Sequence, residues 1–163
     1  MGGLPPYTLF HVLVSLGGIV SGAVVVLGLL AAERREVWTA LFLATTVTTS
    51  VTGFGFPFTG VLPSHAIGVL SLVVLTLAIV GRYRRHLAGA WRWIYAAGAV
   101  IALYFNVFVL VVQLFRKVPA LKALAPTQSE LPFVATQLAV LLVFLVLGYG
   151  AVRRFHPRTG AVI

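Results

Sequence analysis

Every charged side chain in this sequence falls in a short cluster, and between the clusters run five apolar stretches, each about as long as a bilayer is thick. The stretches cover 7–30, 37–53, 62–80, 93–115 and 131–151. A helix needs about 20 apolar residues to cross ~30 Å of hydrocarbon. Lipid offers the backbone no hydrogen-bond partners, so such segments must be helical, and no β-barrel alternation is visible. The sequence predicts an all-α integral membrane protein, a single transmembrane domain built as a bundle of five helices. Five crossings and their loops use nearly all of the 163 residues, which leaves no soluble domain.

The punctuation supports these limits. The first stretch stops at Glu33-Arg34-Arg35-Glu36, the third at Arg82-Tyr83-Arg84-Arg85, the fourth at Arg116-Lys117 and the fifth at Arg153-Arg154. The second ends in GFGFPF, where Gly53, Gly55 and Pro57 break a helix. It is the most polar stretch, with Thr45, Thr46, Thr48, Thr49, Ser50 and Thr52, and a re-entrant or interfacial segment is its alternative. Crossing is favoured because it alone keeps the basic residues on one side.

With five crossings the termini face opposite sides. Arg34, Arg35, Arg82, Arg84, Arg85, Arg92, Arg153, Arg154 and Arg158 then share a side, and only Arg116, Lys117 and Lys122 oppose them. Basic residues mark the cytoplasm, so the N-terminus is outside and the C-terminus cytoplasmic. Trp38, Trp91 and Trp93 fall at the cytoplasmic interface, where aromatic side chains anchor. The net charge of +9 therefore reads as an orientation signal and not as a nucleic-acid surface. The loop 116–130 lies outside, and its mixture of prolines and apolar pairs suits a segment lying along the membrane surface. The N-terminus lacks the basic start of a signal peptide, and Pro6 stands where a myristoylation signal needs Ser or Thr.

The chemistry this composition excludes is broad. The absence of cysteine removes thiol chemistry and iron–sulfur ligation. No stretch contains Asp, Glu, Lys or Arg, which removes carboxylate proton relays and an intramembrane Schiff base. Neither a zincin helix nor a serine-hydrolase elbow occurs.

What stays polar at depth is His11, His65, Asn106, Gln113 and Gln137. The topology brings His11, His65, Gln113 and Gln137 to the outer leaflet on four helices, with Asn106 deeper on the face of Gln113. Three readings are open: a ligand pocket facing outward, haem or metal ligation by His11 and His65 through neutral imidazole, or hydrogen bonding between helices. His86 and His156, beside arginines, are expected to be solvated. Gly18 and Gly22 form a small-xxx-small pair that lets a helix approach closely, within the chain or in a homo-oligomer or larger membrane complex. Thr45, Thr48, Thr49 and Thr52 share a helical face. They either bond carbonyls one turn back or line a path for a small uncharged solute.

The stretches WTALFLATTVTTSVTGFGFPF, AGAWRWIYAAGAVIALYFNVFVLVVQLFRKVPALKALAPTQSE and FLVLGYGAVRRF resemble a group of small uncharacterised bacterial membrane proteins. That resemblance implies a bacterial inner-membrane location and no activity. In size and in its outer histidines the chain is also similar to small b-type cytochromes, a resemblance that implies haem. The functional expectation is a small non-catalytic binding or accessory membrane protein, with a solute facilitator and a haem protein as alternatives.

Overall fold

The computed structural model describes residues 5–56 and 63–156, with the side chains of residues 63–65 not described. Six helices follow one another: α1 (Pro6–Leu30), α2 (Glu36–Gly53), α3 (Pro63–Ile79), α4 (Trp91–Lys117), α5 (Pro119–Leu124) and α6 (Leu131–Arg154). Among the described residues α1, Ala66–Arg84, α4 and α6 are long and apolar enough to cross a membrane. The protein is thus an all-helical chain with four candidate spans. α2 falls short because its hydroxyl-bearing side chains and Glu36 lower its hydropathy.

The predicted limits differ from these helices by a few residues. The larger difference lies after α3, where Val80–Arg84 forms a π-helical turn that carries the helix beyond its expected stop. α5 occupies part of the outer loop and begins, like α1 and α6, with a proline in its first turn. There the missing N–H has no helical partner to lose. Pro57 of the helix-breaking run, residue 62 and Arg158 lie outside the described residues.

α4 is the hub. It packs against α1, α3 and α6, while α2 fills the space between α1 and α3. Apolar side chains gain nothing by leaving apolar lipid, so packing must come from close approach of small residues. α4 supplies them: Ala96, Gly98, Ala99 and Ala102 are buried. Around them close Val25, Val26, Leu29, Phe42, Leu75, Ala78, Tyr95 and Leu103. Gly22 meets this core so tightly that an added Cβ would stand 2.7 Å from the Phe42 ring and 2.8 Å from Leu103. A Cβ on Gly18 would lie 3.3 Å from the hydroxyls of Thr45 and Thr46. The glycine face of α1 is therefore filled by α2 and α4 of the same chain.

α6 is covered on one side only. Leu138, Leu142, Leu145, Val146 and Tyr149 remain exposed, a face suited to lipid.

Candidate functional site

The side chains expected to gather at the outer leaflet bond to separate partners. At the N-terminal end of α1, Tyr7 donates its hydroxyl to the Thr52 carbonyl of α2 at 2.5 Å. His11 Nδ1 lies 2.8 Å from Thr52 Oγ1. That hydroxyl donates to the Thr48 carbonyl at 2.7 Å, so it accepts from His11 Nδ1. The edge of the imidazole meets Phe56, with ring centroids 5.1 Å apart. Asn106, deeper on α4, donates to Thr46 Oγ1 at 3.2 Å. Gln137 on α6 donates to the Phe108 carbonyl at 3.2 Å, and its buried Oε1 has no hydrogen-bond partner among the described residues. Gln113 is half-buried. The His65 side chain lies outside the described residues, and with it the second imidazole of the haem reading. Among the described residues no three His, Cys, Asp or Glu side chains converge as a metal site would require.

The threonine face is likewise closed on itself. Thr45, Thr48 and Thr52 donate to the carbonyls of Leu41, Ala44 and Thr48, one turn back. Ser15 reaches Thr49 at 3.3 Å, and Ser50 reaches Ser71 at 3.2 Å. The hydroxyls form polar seams of α1 with α2 and of α2 with α3, and below Thr46 and Asn106 buried Phe42 and Leu103 take their place.

The opposite end of the bundle holds what sequence reasoning missed. Arg82, read from the sequence only as an orientation signal, lies in the π turn. Its side chain is only 5% exposed, and its Nη2 donates to Glu36 Oε2 at 2.5 Å, while Glu36 is 64% exposed. The guanidinium stands over the Tyr95 ring, 5.1 Å from its centroid, and 5.7 Å from that of Tyr83. Tyr95 is itself buried, its hydroxyl 3.4 Å from Thr39. Arg82 Nε is buried with no hydrogen-bond partner among the described residues.

The backbone brings this about. Arg82 continues the buried face of Leu75 and Ala78, seven and four residues back, and so lies inward over Tyr95. Gly81 permits the close approach, since a Cβ there would meet the Trp91 carbonyl at 3.2 Å. His86 and Leu87 then adopt left-handed conformations, φ 49° and 61°, and the Leu87 N–H closes on the Gly81 carbonyl at 2.9 Å. Two consecutive non-glycine residues in this region carry strain, a condition that clusters at functional sites. The result is an open cavity of about 210 Å³ lined by Arg34, Glu36, Arg82, Tyr83 and His86. The sequence signal that could have found it is Glu36, one of only 3 acidic residues and the sole one at the edge of the threonine-rich stretch.

A buried arginine beside an open cavity does two things chemically. It presents a fixed positive charge that a neutral side chain could not, and its planar fork favours carboxylate or phosphate oxygens. Nearby, Arg35 pairs with Glu33 at 2.9 Å, which leaves Arg34 as the neighbouring cation that faces the cavity. Arg92 donates to the Phe155 carbonyl at 2.5 Å and ties the end of α6 to α4.

No protein-family model matches the chain, and no curated protein or solved structure is similar to it beyond chance.

Proposed function

We propose that this chain is a non-catalytic binding protein of the bacterial inner membrane, acting as an accessory subunit or homo-oligomer, with five crossings, its N-terminus outside and its C-terminus in the cytoplasm. The observation that carries the binding reading is Arg82. Among the described residues it is the charged side chain taken most fully out of water, it lines an open cavity, and its Nε has no acceptor there. Ionisable groups at membrane depth are expensive and mark function. His11, Asn106 and Gln137 support a scaffold role, since each bonds to a neighbouring helix.

The fifth crossing is α2. Tyr7 meets Thr52 at one end of the α1–α2 pair, and Gly28 lies beside Arg35 at the other, so the two helices run antiparallel along their lengths. Arg82 meets Glu36 where α3 ends and α2 begins. An α2 that shares the depth of α1 and α3 crosses with them. Its hydroxyls bond carbonyls one turn back, which removes most of their cost in lipid.

The absence of cysteine makes the topology directly testable. Single-cysteine variants at Ala31, Ala88, Lys122 and His156 are labelled with an impermeant maleimide in intact cells and in inverted vesicles. Ala31, Ala88 and His156 should react from the cytoplasm and Lys122 from outside. Ala31 and Ala88 on opposite sides would remove the crossing of α2. Reconstituted protein should pass no small solute above empty liposomes, and flux would replace the binding reading with a facilitator.

A further inference from the structure

Two cavities meet at Tyr83. The first is the charged one of Arg34, Glu36, Arg82, Tyr83 and His86. The second, about 430 Å³, is an apolar groove between α2 and α3 lined by Ala40, Leu43, Ala44, Val47, Thr48, Ile79 and Tyr83. We propose that the two together form a site for one phospholipid with an anionic headgroup. Its phosphate would sit in the charged cavity and one acyl chain in the groove. The inference rests on α2 crossing the membrane and on the binding reading above.

The groove has the dimensions of a chain. Ala40, Ala44 and Thr48 recur every fourth residue on α2 and leave a trough between the two helices. From Ala40 to Thr48 the helix rises ~12 Å at ~1.5 Å per residue, close to the ~15 Å of one leaflet of hydrocarbon. Any lipid could lie in such a trough, so the trough alone selects nothing. Selection comes from the cavity at its end. Glu36 is one negative charge already engaged by Arg82, and Arg34 and Arg82 are two positive ones. The excess of positive charge complements a phosphodiester whose headgroup adds no compensating ammonium. Basic pockets between helices on the cytoplasmic side are suited to anionic headgroups. Tyr83, 49% exposed, stands at the junction, where an amphipathic ring fits the boundary between headgroup and chain.

The test uses the full chain, purified in detergent and stripped of lipid. Its thermal unfolding is titrated with phosphatidylglycerol, phosphatidylcholine and inorganic phosphate, and retained lipid is counted by native mass spectrometry. Phosphatidylglycerol should stabilise the protein and survive as one retained molecule. Phosphatidylcholine and phosphate should do neither. Two variants avoid the structural Arg82. Arg34→Gln should weaken phosphatidylglycerol binding by about fivefold, as expected for one surface arginine. Ala44→Trp, at an exposed groove position, should weaken it at least as much by filling the trough. Equal retention of both lipids would overturn the proposal, as would an unchanged Ala44→Trp. Stabilisation by inorganic phosphate that matches phosphatidylglycerol would reassign the cavity to a soluble phosphate and overturn the lipid. The cysteine map reads the crossing of α2 independently. Loss of lipid selectivity with Ala31 and Ala88 on one side therefore counts against the lipid alone.

Discussion

Arg82 and Glu36 form an ion pair of unequal members: the guanidinium is buried over Tyr95, and the carboxylate that balances it stands largely in water. The asymmetry fixes what each substitution does. Glu36→Gln leaves the buried charge without its counter-ion. Removing one partner of a fully buried pair costs about 3–5 kcal/mol, and the exposure of Glu36 discounts this to about 2 kcal/mol. Arg82→Met together with Glu36→Gln removes the charge instead of stranding it, so the double variant should unfold at a higher temperature than Glu36→Gln alone. A double variant less stable than the single would show that Arg82 acts mainly through its stacking on the tyrosines.

The α1 glycines offer a graded series. A Cβ on Gly17 would find Thr45 Cγ2 at 4.0 Å, one on Gly18 would meet polar atoms at 3.3 Å, and one on Gly22 would meet Phe42 and Leu103 below 3.0 Å. Phe42 and Leu103 are both buried and cannot swing away. Overpacking of this kind costs about 1–3 kcal/mol. Thermal unfolding should therefore rank Gly22→Ala as the most damaging, Gly18→Ala as intermediate and Gly17→Ala as near neutral. Phe42→Leu should partly restore Gly22→Ala. An unranked series would contradict the helix contact.

The fold was readable where one physical rule dominates. Charge clusters and apolar length alone locate α1, α4 and α6 to within a few residues, because lipid tolerates nothing else. The short α5 was invisible inside a loop of mixed composition. The burial of Arg82 was missed for a different reason. Counting charges assigns an arginine to a side of the membrane and takes no account of rotation about the helix axis, whereas Arg82 shares the buried face of Leu75 and Ala78. The polar side chains at depth were found by type, but sequence could place them only by height along the bilayer. Their partners, Thr52 for His11 and Thr46 for Asn106, depend on rotation about each helix axis, which height does not give.

That rotation separates the threonines. Thr46 is buried and accepts from Asn106, while Thr45 and Thr48 donate to their own helix. Replacing Thr46 by Val leaves the half-buried Asn106 amide short of a partner and should cost about 1 kcal/mol. The double cycle with Asn106→Leu should show a coupling near ~0.6 kcal/mol, the usual size between membrane helices. Thr48→Val touches only its own helix backbone and should be nearly silent. If Thr48→Val destabilises as much as Thr46→Val, the seam is not the one described.

His86 tests whether strain at the charged cavity is kept for binding. At φ 49° an exposed histidine occupies a region that glycine enters freely. His86→Gly should leave unfolding temperature unchanged or raise it slightly, relief of strain offsetting the added freedom of the unfolded chain. Affinity for phosphatidylglycerol should fall, because the imidazole that lines the cavity is gone. A variant both less stable and unaltered in lipid binding would make His86 an element of the turn and nothing more.

The loop before α6 carries its own pH dependence. Glu130 precedes α6, and its carboxylate accepts from the Thr127 N–H at 3.1 Å, the Thr127 hydroxyl at 2.9 Å and the Ser129 N–H at 3.1 Å. A slight loss of hydration pushes its pKa up, and these bonds outweigh it and hold the carboxyl below the ordinary glutamate value. A group whose folded pKa is depressed stabilises the folded form above its unfolded value, near 4.3, and that contribution is lost as pH falls through the folded value. Amide exchange of residues 127–134 should therefore be slow and flat from neutral pH down to the glutamate range, once the intrinsic exchange rate is divided out. Protection should then fall as the pH drops further. Glu130→Gln should show the lower protection at every pH, since its one amide oxygen replaces two acceptor oxygens and lacks the charge that strengthens these bonds. If the variant and the wild type show the same protection throughout, the carboxylate does not hold the entry to α6.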